Sequence, residues 1–228
     1  MNLPFTVEQF FAVFSDYNEA IWPGQIVAYA LGLAVVVSLM KRTKWSGRFA
    51  FAVLALFWLW MGAVYHFAFF SEINSAAKLF AALFIIQGVI LAAIGTCLNR
   101  VEFGKVASVH AIVGGVFIVF SMVIYPLIGY LAGHRYPAVP MFGVAPCPTT
   151  IFTFGVLLFT RSRVPWYVFV IPLLWSLVGM NAAISLRVPQ DYGLLVAGIV
   201  GTIMIMMKNR ALKKRLNQSL PGPESDVL

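Results

Sequence analysis

Seven apolar stretches, at roughly 22–40, 49–70, 79–98, 106–133, 138–160, 164–186 and 192–207, contain no Asp, Glu, Lys or Arg. About 18 such residues let a helix cross a hydrocarbon core of ~30 Å. Inside lipid the backbone has no water to bond, so it must satisfy itself as helix. The chain is therefore predicted to be all-α, a polytopic membrane protein of seven transmembrane helices. Charged residues are 11% of the 228 positions, against about 25% in an ordinary soluble domain. The uncharged spans also leave proton- or sodium-coupled pumping without an obvious carrier, since such carriers are intramembrane ionisable side chains.

The basic residues orient the bundle. Of the 16 Lys and Arg, Lys78, Arg135 and Arg187 fall in loops on one side. The rest fall on the other: Lys41, Arg42, Lys44, Arg48, Arg100, Lys105, Arg161, Arg163, Lys208, Arg210, Lys213, Lys214 and Arg215. Positive loops stay inside, which puts the N-terminus outside and the C-terminus in the cytoplasm. The same asymmetry accounts for the net charge of +8. No RNA- or DNA-binding pattern is present, so the expected surroundings are the lipid bilayer and not nucleic acid.

Three regions follow: an outer interfacial helix within 1–21, a seven-helix domain over 22–207, and a basic cytoplasmic tail over 208–228. The tail is expected to lie along the anionic inner leaflet as a short helix and to be disordered from Pro221. Residues 5–20 read as an amphipathic helix. Thr6 and Gln9 fit a capping box, and Phe10, Val13, Phe14 and Tyr17 form an apolar stripe away from Glu8, Asp16 and Glu19. Such a helix either lies in the interface or packs on the bundle as a lid, and both readings stand. Residues 1–21 contain no Lys or Arg, so they are not read as a secretory signal.

Candidate chemistry collects toward the outer end, where His66, Glu72, His134, Asn181 and Asp191 map together with Tyr65, Tyr130, Tyr136 and Tyr192. A water-accessible pocket would gather such residues; so would an interfacial aromatic belt with polar loops. Arg187 and Asp191 could pair across their turn. The segment Val144 to Thr150 is the most unusual. Within a span over 138–160, Pro146 and Pro148 would break the helix and free backbone oxygens. Cys147, Thr149 and Thr150 would add a thiol and two hydroxyls. The segment then either binds a ligand or is a structural kink. Cys147 with His66 and His134 could hold a soft metal ion, although no CxxC or HxxxH spacing supports it. Cys147 could also act as a nucleophile with one of these histidines as base, oriented by Glu72 or Asp191. Cys97 lies near the inner end of its span and Cys147 about 13 residues from the inner end of its own, roughly 20 Å at 1.5 Å per residue. Two free thiols are expected. No lysine stands in the seventh span, which excludes a retinal Schiff base there.

The opening Leu3-Pro4-Phe5-Thr6 with Phe10-Phe11 and Asp16-Tyr17-Asn18, the Trp22-Pro23 pair, and Gly143 through Thr150 together resemble a family of bacterial multi-pass inner-membrane proteins of unknown function. The resemblance covers most of the chain except the last dozen residues, and its specificity rests on the Pro-Cys-Pro-Thr-Thr segment and the N-terminal motif. It implies a bacterial inner-membrane location and carries over no catalytic residue and no cofactor.

The leading expectation is a small permease or binding protein for a small solute or soft metal ion. Its site would open to the outer face and reach down to Cys147, with Asn181 and Gln87 as neutral hydrogen-bonding groups and His66 and Glu72 at the mouth. The alternatives are a membrane-embedded enzyme with an outer-rim Cys/His site, and a non-catalytic accessory subunit. The last would pack through small residues such as Gly88 with Gly95 or Gly114 with Gly115.

Overall fold

A computed structural model of the chain describes residues 4–97, 101–186 and 188–219. It is all-helical. Helices α1 (Val7–Ala20) and α2 (Gly24–Lys41) lead into α3, a continuous stretch over Ser46–Glu72. There follow α4 (Ala77–Ala92, extended by a π-helical turn to Cys97), α5 (Ser108–Leu131), α6 (Pro146–Leu158), α7 (Val170–Leu186) and α8 (Tyr192–Ser219). The described residues hold no strand, only one isolated bridge between Phe103 and Thr160. Five helical stretches are long and apolar enough to cross a membrane: Gly24–Lys41, Ser46–Glu72, Ala77–Gly95, Ser108–Leu131 and Pro189–Gln218. The apolar helices Pro146–Leu158 and Val170–Leu186 are shorter.

The sequence predicts an unbroken span over 138–160. Instead, residues 132–145 are non-helical and α6 begins at Pro146. Pro146 and Pro148 therefore sit in the first turn of a helix and do not kink the middle of one. There the missing N–H groups have no intrahelical acceptor to lose, and the fixed φ suits the helix start. Two hydroxyls secure this turn. Thr149 Oγ1 donates to the Ala145 carbonyl at 2.8 Å and accepts from the Gly143 N–H at 3.1 Å, and Thr150 Oγ1 donates to the Pro146 carbonyl at 2.8 Å. Gly143 has φ +78°, and a Cβ there would stand 2.7 Å from that of Ala28. Only glycine meets both demands without strain.

Helix α6 is the axis of the molecule. Every residue from Pro148 to Leu158 is buried, and α3, α5, α7 and α8 surround it. It meets α5 almost backbone to backbone. A Cβ on Gly114 would lie 2.9 Å from the Gly155 carbonyl, and one on Gly155 would lie 3.0 Å from the Gly114 carbonyl. Small residues are what allow two membrane helices to come this close. Helix α5 contains Pro126 and remains continuous because its backbone widens to a π-helical turn over Phe120–Ile124 just before it. The basic tail does not form a separate helix after residue 207; α8 continues through it to Ser219. Residues from Pro221 onward, expected to be disordered, lie outside the described residues.

Helix α1 starts with the expected capping box. Thr6 Oγ1 accepts from the Gln9 N–H at 3.2 Å, and Gln9 Oε1 accepts from the Thr6 N–H at 2.8 Å. Its stripe packs onto the bundle: Val13, Phe14, Tyr17 and Asn18 are buried. Asn18 Nδ2 donates to the carbonyls of Pro137 (2.6 Å) and Val139 (2.7 Å). Tyr17 donates to the Val144 carbonyl at 2.8 Å and accepts from Trp60 Nε1 at 2.8 Å. Burial raises the Tyr17 phenol above its ordinary range, so it remains a neutral donor. The non-helical backbone of 132–145 thus receives from α1 the partners that a helix would have supplied internally.

Candidate functional site: an aromatic chamber under the first helix

A cavity of about 300 Å³ lies where α1, the ends of α3 and α5, the start of α6, and α7 converge. Its wall is mainly aromatic. Phe5, Phe10 and Phe14 come down from the α1 side, Tyr65 and Phe70 from α3, and Trp175 from α7. The rings are mutually braced. Phe14 stacks on Tyr65 with centroids 5.0 Å apart, Tyr65 stacks on Phe70 at 5.7 Å, and Phe5 meets Phe70 edge-on at 5.4 Å. Helix α1 therefore acts as a lid. Its C-terminal half is latched by hydrogen bonds and its N-terminal half is held by ring contacts.

One carboxylate faces this wall. Asp191 closes a single 3-10 turn, Pro189–Asp191, ahead of α8 and is 3% exposed. Tyr125 of α5 donates to Asp191 Oδ1 at 2.5 Å. The Cys147 thiol lies within side-chain reach of Asp191, Tyr125 and Trp175. Trp175 Nε1 makes no hydrogen bond among the described residues. The first turn of α6, with its partial positive charge, also borders the chamber through Pro146 and Cys147. Among the described residues no Lys, Arg or His lines the chamber. The chamber reaches the surface beside Val178 and Asn181, both exposed on α7.

The residues expected in the site separate into two groups. Cys147, Pro146, Asn181 and Asp191 line the chamber. Asp191, read as a turn residue that could pair with Arg187, is buried against Tyr125, and Arg187 lies outside the described residues. Pro148, Thr149 and Thr150 do not line the chamber, and both hydroxyls are committed to backbone carbonyls. His66 lies in the π-helical part of α3, fully buried, with neither ring nitrogen hydrogen-bonded among the described residues. It packs edge-on against Phe84 at 4.5 Å and Trp175 at 5.1 Å, outside the lining. Glu72 is exposed on the last turn of α3, away from the lining. His134 stacks on Phe11 at 4.3 Å and is 3.5 Å from Gln190 Nε2 through Nδ1; burial lowers its pKa from the ordinary value. Gln87 donates to the Val168 carbonyl at 2.7 Å, away from the chamber.

Among the described residues no three His, Cys, Asp or Glu side chains converge as metal ligands. His66 makes no hydrogen bond to the Cys147 thiol, since neither of its ring nitrogens has a partner among the described residues. Cys147 is a free thiol, and the side chain of Cys97 is outside the described set.

The features missing from the sequence reading are the pairing of Tyr125 with Asp191 and the aromatic wall. The available signal was that Tyr65, Phe70 and Tyr125 fall toward the same end of their spans as the α1 phenylalanines, whereas Trp175 stands in the middle of its own. Aromatic residues at a helix end also suit an interfacial belt, so the pattern alone could not distinguish the two.

Fold and site define an all-helical protein with five helices long and apolar enough to cross a membrane and a lidded aromatic chamber at one end of the bundle. The chain belongs to a family of unknown function, DUF6064, whose profile matches residues 7–217. No curated protein and no solved structure matches the chain.

Proposed function

We propose that this is a seven-span membrane protein that binds a small organic cation, an amine or quaternary ammonium, in the chamber under α1. The proposed topology places the chamber at the outer face of a bacterial inner membrane and the basic helix ends in the cytoplasm. Binding of this kind is the first step of both a permease and a solute-binding protein. The observation that carries the reading is the buried Asp191 carboxylate in an aromatic chamber that no base lines among the described residues. A buried charge is costly unless it is compensated. Tyr125 and the α6 dipole offset part of the cost, and a cationic ligand would supply the missing full charge. Ring faces attract cations by about 0.5–2 kcal/mol each in a desolvated site.

The two short apolar helices fit the seven-span topology. At 1.5 Å per residue α6 rises only about 20 Å. The non-helical stretch before it, which α1 covers, would span the remaining depth. This matches the rule that irregular backbone at membrane depth is buried in protein.

The test is equilibrium binding of tetramethylammonium to the purified protein in lipid nanodiscs. Wild type is expected to bind it. Asp191→Asn should weaken binding at least tenfold, equivalent to about 1.4 kcal/mol, and Phe70→Leu by a smaller factor. Equal affinity in wild type and Asp191→Asn, or binding of a neutral isostere as tight as that of the cation, would overturn the proposal.

A further inference from the structure

We infer that the opposite end of the bundle carries a second binding site, for a phosphoryl-bearing anion. A hollow of about 470 Å³ lies between the loop before α5, the end of α6 and the C-terminal part of α8. Four cations from three separate segments line it: Lys105, Arg161, Lys208 and Arg215. Lys208 and Arg215 are seven residues apart on α8, two turns along one face. Thr160 and His110 complete the polar lining. Among the described residues no Asp or Glu lines it. Glu102 gives its backbone carbonyl to the Arg161 N–H at 2.6 Å, but its side chain is exposed and outside the lining.

The positive-inside rule explains why this end is basic, since it requires only that Lys and Arg be present in the short loops. It does not explain why four of them gather round one concavity. Gathered like charges repel one another, and an anion between them would reverse the sign of the interaction. The four heads also have different tasks. Lys208 Nζ donates to the Leu157 carbonyl at 3.2 Å, the Thr160 carbonyl at 2.9 Å and Thr160 Oγ1, so its three N–H groups are engaged at the C-terminal end of α6. It supplies fixed charge and no hydrogen bond to a ligand. Lys105, Arg161 and Arg215 are exposed at their tips, and no acceptor holds their heads among the described residues. Two guanidinium forks and an ammonium facing one hollow suit the three-oxygen geometry of a phosphoryl group. Apolar neighbours Val106 and Leu212 on the same lining suit the uncharged part of the molecule that carries it.

A phosphoryl group reaches this end either on an anionic lipid headgroup or as free phosphate in solution. Native mass spectrometry of the full-length protein tests the lipid source. The protein is released from nanodiscs of phosphatidylglycerol mixed with phosphatidylcholine, and adducts surviving mild activation are counted. Titration with inorganic phosphate against chloride at equal ionic strength, followed by thermal melting, tests the free source. Two doubly substituted proteins are compared with wild type: Arg161→Gln with Arg215→Gln, which removes the ligand-facing forks, and Lys213→Gln with Lys214→Gln. The latter removes the same amount of charge from α8 outside the hollow; both lysines are exposed. All four sites are on the surface, so both proteins should retain the wild-type melting temperature without ligand.

A retained phosphatidylglycerol lost at least tenfold in the arginine protein but kept in the lysine protein supports a lipid site. Stabilisation by phosphate with the same discrimination supports a soluble anion. Equal loss in both proteins would mean diffuse surface attraction and overturn the inference. So would the absence of both a phosphatidylglycerol adduct and phosphate stabilisation in wild type.

Discussion

Asn18 shows how much one side chain can carry when backbone leaves its helix. Its amide donates to two carbonyls of the non-helical stretch, and its own carbonyl accepts from Gln25 Nε2 at 2.8 Å. The residue is fully buried, so Asn18→Ala would leave the Val139 carbonyl without a donor, while the Pro137 carbonyl keeps the Val139 N–H at 2.9 Å. Such an orphan costs on the order of 1–3 kcal/mol. Asn18→Ala is expected to lower the melting temperature in nanodiscs well beyond the change caused by Glu19→Ala, the exposed residue next to it. Equal melting of the two variants would mean that α1 is not latched through this amide. The residues of this latch, Asn18 and Tyr17, are conspicuous in the sequence only as part of an N-terminal motif. Their role was not legible because their partners are carbonyls 119 to 127 positions away, and carbonyls leave no mark on residue type.

At the scale of the element, α1 and α6 mark the limits of what pattern can reveal. The start of α1 was legible to the residue, because a capping box depends on side chains three positions apart. Helix α6 was legible as an apolar segment but not in its extent. An apolar run satisfies hydropathy whether it is helix or buried coil, and Gly143 and the two prolines fit either a kink or a helix start. The structure assigns them to a helix start, and that has a measurable consequence. Replacing both Pro146 and Pro148 with Ala should change stability by only about 0.4–1 kcal/mol in total, through the unfolded chain. A proline kink deep in a helix would respond differently, because removing it would restore missing bonds and straighten the segment. A large shift in melting temperature in the double variant would argue against the helix-start assignment.

For the whole molecule, the spacing of apolar stretches made the all-helical class plain, since lipid leaves few alternatives. The chamber was not legible as a chamber. It is assembled from parts of six helices, and only their packing shows that Asp191 faces aromatic rings and not water. The proposed orientation is testable on intact cells. In a background with Cys97 and Cys147 replaced by Ser, single cysteines at Glu19 and at Lys213, both exposed, should label oppositely with a membrane-impermeant maleimide. Position 19 should react from outside and position 213 only after permeabilisation; labelling of both from one side would refute the seven-crossing topology. The docking of α1 onto the stretch before α6 also bears on how the chain is made. Synthesis runs toward the C-terminus, so α1 emerges ahead of the helices it covers, and the carbonyls it must meet are not translated until more than a hundred residues later. Contacts of such long sequence separation form late. A helix made before the rest of the bundle is thus among the last to settle, and until it does the chamber stands open.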